Sequence, residues 1–288
     1  MDARSSGWVV RRARALTTAS RADGPPFFPE RLAAPCGVDG IRRVDAPVGA
    51  GWAVVEEAGR RIILVDRTIP PRTPQWNGSI ALALAHALLT PGAHGRGPEG
   101  ARLAEAAAAE ILLPGRVFRP IARRTDLTMD GLRDLAFRFS APIRLTVLQW
   151  LLSGVWEGFA LLWRREEDAL RLRWRAASPG LRFPPSAAIG ASAAELWCSQ
   201  GRLYETLRTG RPQHGVEQIW TATGSAPRWW FTRFGVVRDE GARAVLALVV
   251  LERRRFAKGI PAEPSNRRAA AGSHRHRVGA GARDRRAR

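Results

Sequence analysis

Cysteine, methionine, tyrosine and lysine are nearly missing from this chain of 288 residues: there are two, two and one of the first three, and Lys258 is the single lysine among 46 basic residues. Two cysteines, Cys36 and Cys198, exclude a disulfide framework. Each lies among apolar neighbours, where a buried and inert thiol is expected, as in a reducing cytoplasm. No apolar run approaches the roughly 18 residues that a membrane span requires. The first 24 residues lack the apolar stretch of a secretory signal. These absences leave a globular protein, expected in the cytoplasm and without a membrane role.

Arginine dominates what is there. The formal charge is +20, and half of it comes from residues 253–288, which hold 12 basic and 2 acidic side chains. Together with much alanine, glycine and proline, this points to a genome rich in G and C rather than to a specific polyanion partner. Residues 253–288 contain too few apolar side chains to fold and are read as a disordered tail. Such a tail attracts nucleic acid nonspecifically and in a salt-dependent way. His274 and His276 are close enough in sequence to share a metal, but the flanking arginines oppose that. Residues 1–24, basic and rich in Ser and Thr, are read as a disordered leader with no assigned function.

The chain is organised around 76–114, WNGSIALALAHALLTPGAHGRGPEGARLAEAAAAEILLP. Ser79 to Leu89 is an apolar, alanine-rich run with one polar side chain, His86, and Thr90-Pro91-Gly92 ends it. A second helix is expected from about Glu99 to Leu113, stopped by Pro114. Two short helices, the first apolar all round, must pack in a core.

This pair resembles the ImmA/IrrE family of zinc metallopeptidases, whose first helix carries His-Glu-x-x-His and whose second supplies a Glu ahead of a Leu-Leu-x-Pro ending. The frame matches at Asn77–Leu89 and Leu103–Pro114, but the chemistry departs. The motif is reduced to Leu82-Ala83-Leu84-Ala85-His86: Leu82 stands at the first ligand, Ala83 at the general base, and Leu103 at the third ligand. His at i and i+4 share a helix face and hold zinc together. A third ligand and a carboxylate base complete the peptidase site. One imidazole does neither job, so His86 is read as vestigial, with no catalytic residue and no cofactor expected. A rebuilt zinc site remains an alternative; it would draw on Glu105 and His94, although Glu105 lies about 200° round the helix from the expected ligand position.

The elements before this stretch follow the family order. Phe28–Pro35 is expected to be a short helix and Ile41–Val44 a strand, with Gly51–Glu57 and Arg61–Asp66 forming a hairpin about Ala58-Gly59-Arg60. After it, Asp130–Phe139 and Ile143–Leu152 flank Ser140-Ala141-Pro142, with an N-cap expected at Ser140 and apolar spacing at Phe137, Phe139, Leu145, Leu148 and Leu152. This is a helix-turn-helix pattern. It serves either as a helical cap on the core or as a DNA reader with Arg144 and Gln149 as contacts.

From Gly154 the pattern turns to strands: Trp156–Trp163 and Leu170–Trp174 about a charged turn, then Gly215–Ala222, Arg228–Val237 and Ala242–Leu251, with a helix at Ala193–Thr209. Five strands and a helix suggest an α+β sensor of the GAF or PAS kind, which some IrrE-type members carry. Eight tryptophans between Trp150 and Trp230 line either a ligand cavity or the core. His214 is read as a surface residue.

The expectation is thus an α+β protein: leader 1–24; a zincin-like but degenerate peptidase core at 25–115; a helix-turn-helix-like segment at 116–153; a GAF/PAS-like domain at 154–252; and the tail at 253–288. The resemblance implies a stress-linked regulatory protein whose partner is a helix-turn-helix repressor. The C-terminal domain would take a small ligand. The alternatives are an active zinc endopeptidase with a rebuilt site, and a DNA-binding regulator acting through the helix-turn-helix.

Overall fold

The computed structural model describes residues 3–20, 24–45, 51–89, 97–126, 128–179, 181, 188–193, 200–223, 226–239 and 244–251; at 3–6, 200–201, 215–223, 226–239 and 250–251 it describes the backbone alone. The fold is α+β, and Met1–Glu252 forms one compact unit. None of the described helices is long and apolar enough to cross a membrane.

The expected disordered leader is instead a helix, α1 (Ala3–Ala19). Val9, Ala13 and Thr17, spaced four apart, fall on one buried stripe, and α1 packs on the second helix of the central pair. Basic composition suggested disorder, but this short stripe is enough to dock a helix. Phe28–Pro35 is likewise no α-helix: two 3-10 turns, Pro29–Leu32 and Ala34–Cys36, carry it, each with a proline at its start.

A small sheet follows, of strands β1 (Gly40–Val44), β2 (Trp52–Glu57) and β3 (Arg60–Asp66) in the order β1-β3-β2. β2 and β3 are the expected hairpin. Its two turn residues, Ala58 at φ 51° and Gly59 at φ 73°, are both left-handed, the conformation that a two-residue turn needs to match strand twist. β1 runs parallel to β3.

The central pair is α2 (Pro74–Leu88) and α3 (Pro98–Leu112). Thr73 caps α2, its side chain accepting from the Trp76 N–H at 3.2 Å, and Pro74 opens the helix. Three further helices follow: α4 (Gly115–Ala122), α5 (Met129–Phe139) and α6 (Ile143–Ser153).

The turn between α5 and α6 differs from expectation. Ser140 is the C-cap of α5, left-handed at φ 49°, and Pro142 occupies the N-cap of α6. The turn docks on the start of α2: Asn77 Nδ2 donates to the Ser140 carbonyl at 2.9 Å, and a Cβ on Gly78 would meet Pro142 Cγ at 2.4 Å. Glycine at 78 is therefore what lets the two segments touch. Phe139 is fully buried, whereas Phe137, expected on the same apolar face, is 87% exposed.

The large sheet holds β4 (Gly158–Glu166), β5 (Ala169–Ala177), β6 (Gln213–Thr223), β7 (Ala226–Asp239) and β8 (Ala244–Leu251), with α7 (Gln200–Thr209) before β6. All five pair antiparallel in the order β5-β4-β8-β7-β6. β4 is buried on both faces. Ala160 and Leu162, with Leu246 and Leu248 of β8, join the core of the helices and small sheet. Phe159, Leu161 and Trp163 face a second cluster with Leu203 of α7. The helical part thus covers one face of the large sheet and α7 the other.

Candidate functional site

The site lies where α2, α3, β2, β5 and α6 meet. On α2, His86 is half-buried; its ring packs at a tilt of 43° against Trp52 of β2, centroids 5.1 Å apart. Burial lowers the His86 pKa from its ordinary value, and the nearby Glu105 charge partly offsets this. Leu82, one turn back, is half-buried beside it, and Leu103 of α3 is also only partly covered. Ala83, which the resemblance would set at a general-base position, is fully buried and faces the core instead.

Glu105 sits close enough to His86 to influence its titration, but both carboxylate oxygens are engaged. Oε2 accepts from the Trp174 indole N–H of β5 at 2.7 Å, and Oε1 pairs with Arg144 Nη2 of α6 at 3.3 Å. The Arg144 guanidinium also lies over the Trp174 ring, 5.9 Å from its centroid. Of the sequence candidates, then, His86 and Glu105 come together, Arg144 joins them, and His94 lies outside the described residues. Among the described residues, no group of three His, Cys, Asp or Glu is placed to hold a metal. One imidazole, two leucines and a carboxylate already engaged by an arginine and an indole do not fit a zinc-peptidase site.

The DNA-contact reading of α6 meets a structural correction. Gln149 is buried, its Nε2 donating to Glu110 Oε2 at 3.0 Å and to the Leu113 carbonyl at 2.8 Å. Every residue from Leu145 to Leu151 is buried, so α6 is a core helix and offers no face to a groove. Arg144 is turned toward Glu105, an internal pairing.

Two features escaped the sequence reading. The Trp174–Glu105 contact joins residues 69 apart in sequence, and no local pattern announces it. Glu110 is a buried hub: it accepts from Gly115 N–H at 3.1 Å and Gln149 Nε2, and pairs with Arg14 of α1 at 3.2 Å. Its signal was in the sequence, since a lone charge inside AAAAEILLP must find partners.

Elsewhere the thiol of Cys36 is buried, which pushes its pKa up to about 11 despite Arg12 nearby, so it is protonated and inert. Cys198, His274 and His276 lie outside the described residues, and His214 is exposed. In the large sheet Trp163 is fully buried in the second cluster, while Trp174 is the half-buried donor to Glu105. Among the described residues, Trp163 Nε1 and Thr206 Oγ1 are buried without a hydrogen-bond partner.

No protein-family model matches the chain, and no curated protein matches it. Its fold is similar to known structures. A Mycobacterium tuberculosis transcriptional regulator superposes with a TM-score of 0.57 at 15% identity, over 88% of this chain and 92% of that one. At that identity the likeness is one of fold.

Proposed function

We propose that this chain is a non-catalytic regulatory protein of the ImmA/IrrE type, which uses the helix-pair scaffold to hold a protein partner and the C-terminal domain to respond to a small ligand. The observation that carries this reading is the His86 face. Leu82 and Leu103 make it apolar, and Arg144 and Trp174 occupy the neighbouring carboxylate. The likeness to a transcriptional regulator supports a regulatory role. The resemblance in the α2–α3 frame supplies the partner class, a helix-turn-helix repressor.

The edge of β2 is the natural place for a partner strand. The Asp66 N–H donates to the Gly51 carbonyl at 2.9 Å, which sets the bonded pairs at Gly51, Ala53 and Val55. The N–H and C=O groups of Trp52, Val54 and Glu56 therefore point away from β3. Among the described residues no strand pairs with that edge. A strand added there gains main-chain hydrogen bonds without metal and runs past Trp52 and His86.

The arrangement of the large sheet, with the last strand between the first and second hairpins, supports a GAF- or PAS-like sensor. A ligand there alters the His86 face only if it favours one arrangement of β5, whose Trp174 holds Glu105.

The test is affinity capture with the full chain, followed by Val54→Pro. Proline removes an outward N–H and spares the β2–β3 ladder. Capture that is lost in Val54→Pro, with folding retained by circular dichroism, supports the reading. Capture that survives Val54→Pro, or that disappears when Arg285, Arg286 and Arg288 are changed to Gln, overturns it. Chelator-sensitive cleavage of the captured protein would establish the peptidase alternative.

A further inference from the structure

We propose that α1 and α4 together form an arginine surface that binds the phosphate backbone of duplex DNA, a surface separate from both the helix-turn-helix segment and the tail. The two helices are fastened to each other. Arg116 Nη2 donates to the Thr17 carbonyl at 3.3 Å, and Glu110 accepts from both Arg14 of α1 and the Gly115 N–H that opens α4. Phe118 and Ala122 bury one side of α4. Its other side presents Arg116, Arg119 and Arg123, spaced three and four apart and so on one stripe, with Arg124 following. All four are exposed, and none has a carboxylate partner among the described residues.

The composition around them is one-sided. Residues 3–20 and 111–125 contain no acidic side chain; Glu110 below them is buried. The acidic residues Asp126, Asp130 and Asp134 mark where the surface ends, lining a separate cavity of about 340 Å³ with Ile121 and Arg138. The stripe from Arg116 to Arg123, the C-cap of α4, covers eight residues and about 10.5 Å at the helical rise, enough to meet more than one phosphate of a strand. Guanidinium groups suit phosphate because they donate two hydrogen bonds in one plane. A membrane surface fits less well: the exposed neighbours are Ala15, Thr18 and Pro120, not the large apolar side chains that enter a bilayer. Trp8, the exposed large apolar residue of α1, lies toward the other end of that helix.

The experiment is fluorescence anisotropy of a labelled duplex against the full chain over a KCl series. Three proteins are compared: the parent, Arg119→Gln/Arg123→Gln/Arg124→Gln, and the equal-charge control Arg285→Gln/Arg286→Gln/Arg288→Gln. Each phosphate contact contributes roughly 0.9 to the slope of log affinity against log salt. The helix triple variant should lose roughly 2 to 3 from that slope, while the tail control loses less. An unchanged slope and affinity in the helix variant overturns the proposal. So does weakened binding to phosphatidylglycerol vesicles with DNA binding intact, which would assign the surface to a membrane. Should the triple variant fail to fold by circular dichroism, the single reversal Arg119→Glu carries the test, and unaltered DNA affinity there overturns the proposal equally.

Discussion

The Trp174 indole N–H donates to Glu105 Oε2 at 2.7 Å, so one hydrogen bond ties the large sheet to α3. Glu105 is only 17% exposed and holds Arg144 with its other oxygen. Trp174→Phe removes the donor and leaves the ring. Hydrogen bonds to charged groups contribute about 1.5–3 kcal/mol, and a loss in that range is expected in urea unfolding. A double-mutant cycle with Arg144→Gln should show coupling of about 0.5 kcal/mol or more, because both partners share one carboxylate. Strict additivity would mean that the contacts act independently.

Glu110 is expected to be the costliest polar side chain to remove. Glu110→Ala leaves the Gly115 N–H unpaired inside the core, takes one of the two acceptors of the Gln149 amide and releases Arg14. Breaking a buried charged network typically costs about 3–5 kcal/mol; Arg14 is half-exposed, so the lower end applies. Glu110→Gln keeps the shape and one acceptor and should cost less. Chemical denaturation of both variants checks this, and proteolysis should show α1 released first in Glu110→Ala.

Local devices explain what could be read from sequence. The Ala58-Gly59 turn and the charged turn between β4 and β5 each place their cause within a few residues of their effect. The strand pattern after Gly154 was legible for the same reason. What could not be read are docking relations. The helix-turn-helix spacing at 130–152 is real, but only the contact of Asn77 and Gly78 with Ser140 and Pro142 decides that the turn faces inward. The leader's helix depends on a surface supplied by α3, nearly a hundred residues away; Arg14 and Glu110 are 96 apart. In the site, the apolar character of Leu82 and Leu103 was legible, while the engagement of Glu105 by Trp174 was not.

His86 gives a pH dependence of defined sign. Burial lowers its folded pKa below the unfolded value of 6.5, with Glu105 partly opposing. The unfolded state therefore binds the proton more readily, so the His86 contribution to stability is present above the unfolded pKa and is lost as pH falls through the folded one. Thermal unfolding of the parent should decline between neutral and mildly acidic pH more than that of His86→Gln. Identical profiles would show that the imidazole is not titrating in the half-buried setting against Trp52.

The metal frame that the resemblance implies can be tested by building it. Leu82 and His86 are four apart on α2 and share a face, so Leu82→His supplies a second imidazole at the right spacing. Leu103→Glu returns the third ligand on α3, and both leucines are only partly buried, so the polar replacements reach solvent-accessible space. The general-base position is different: Ala83 is fully buried, and Ala83→Glu would place a carboxylate in the core. Zinc binding should therefore be recoverable without peptidase activity. The double variant Leu82→His/Leu103→Glu is expected to take up one zinc per chain by atomic spectroscopy and to gain thermal stability with zinc that EDTA reverses, as binding to the folded state requires. The parent should show neither effect. If the folded double variant takes up no zinc, the alignment of Leu82, His86 and Leu103 with the metal frame is wrong, and the ImmA/IrrE resemblance falls with it.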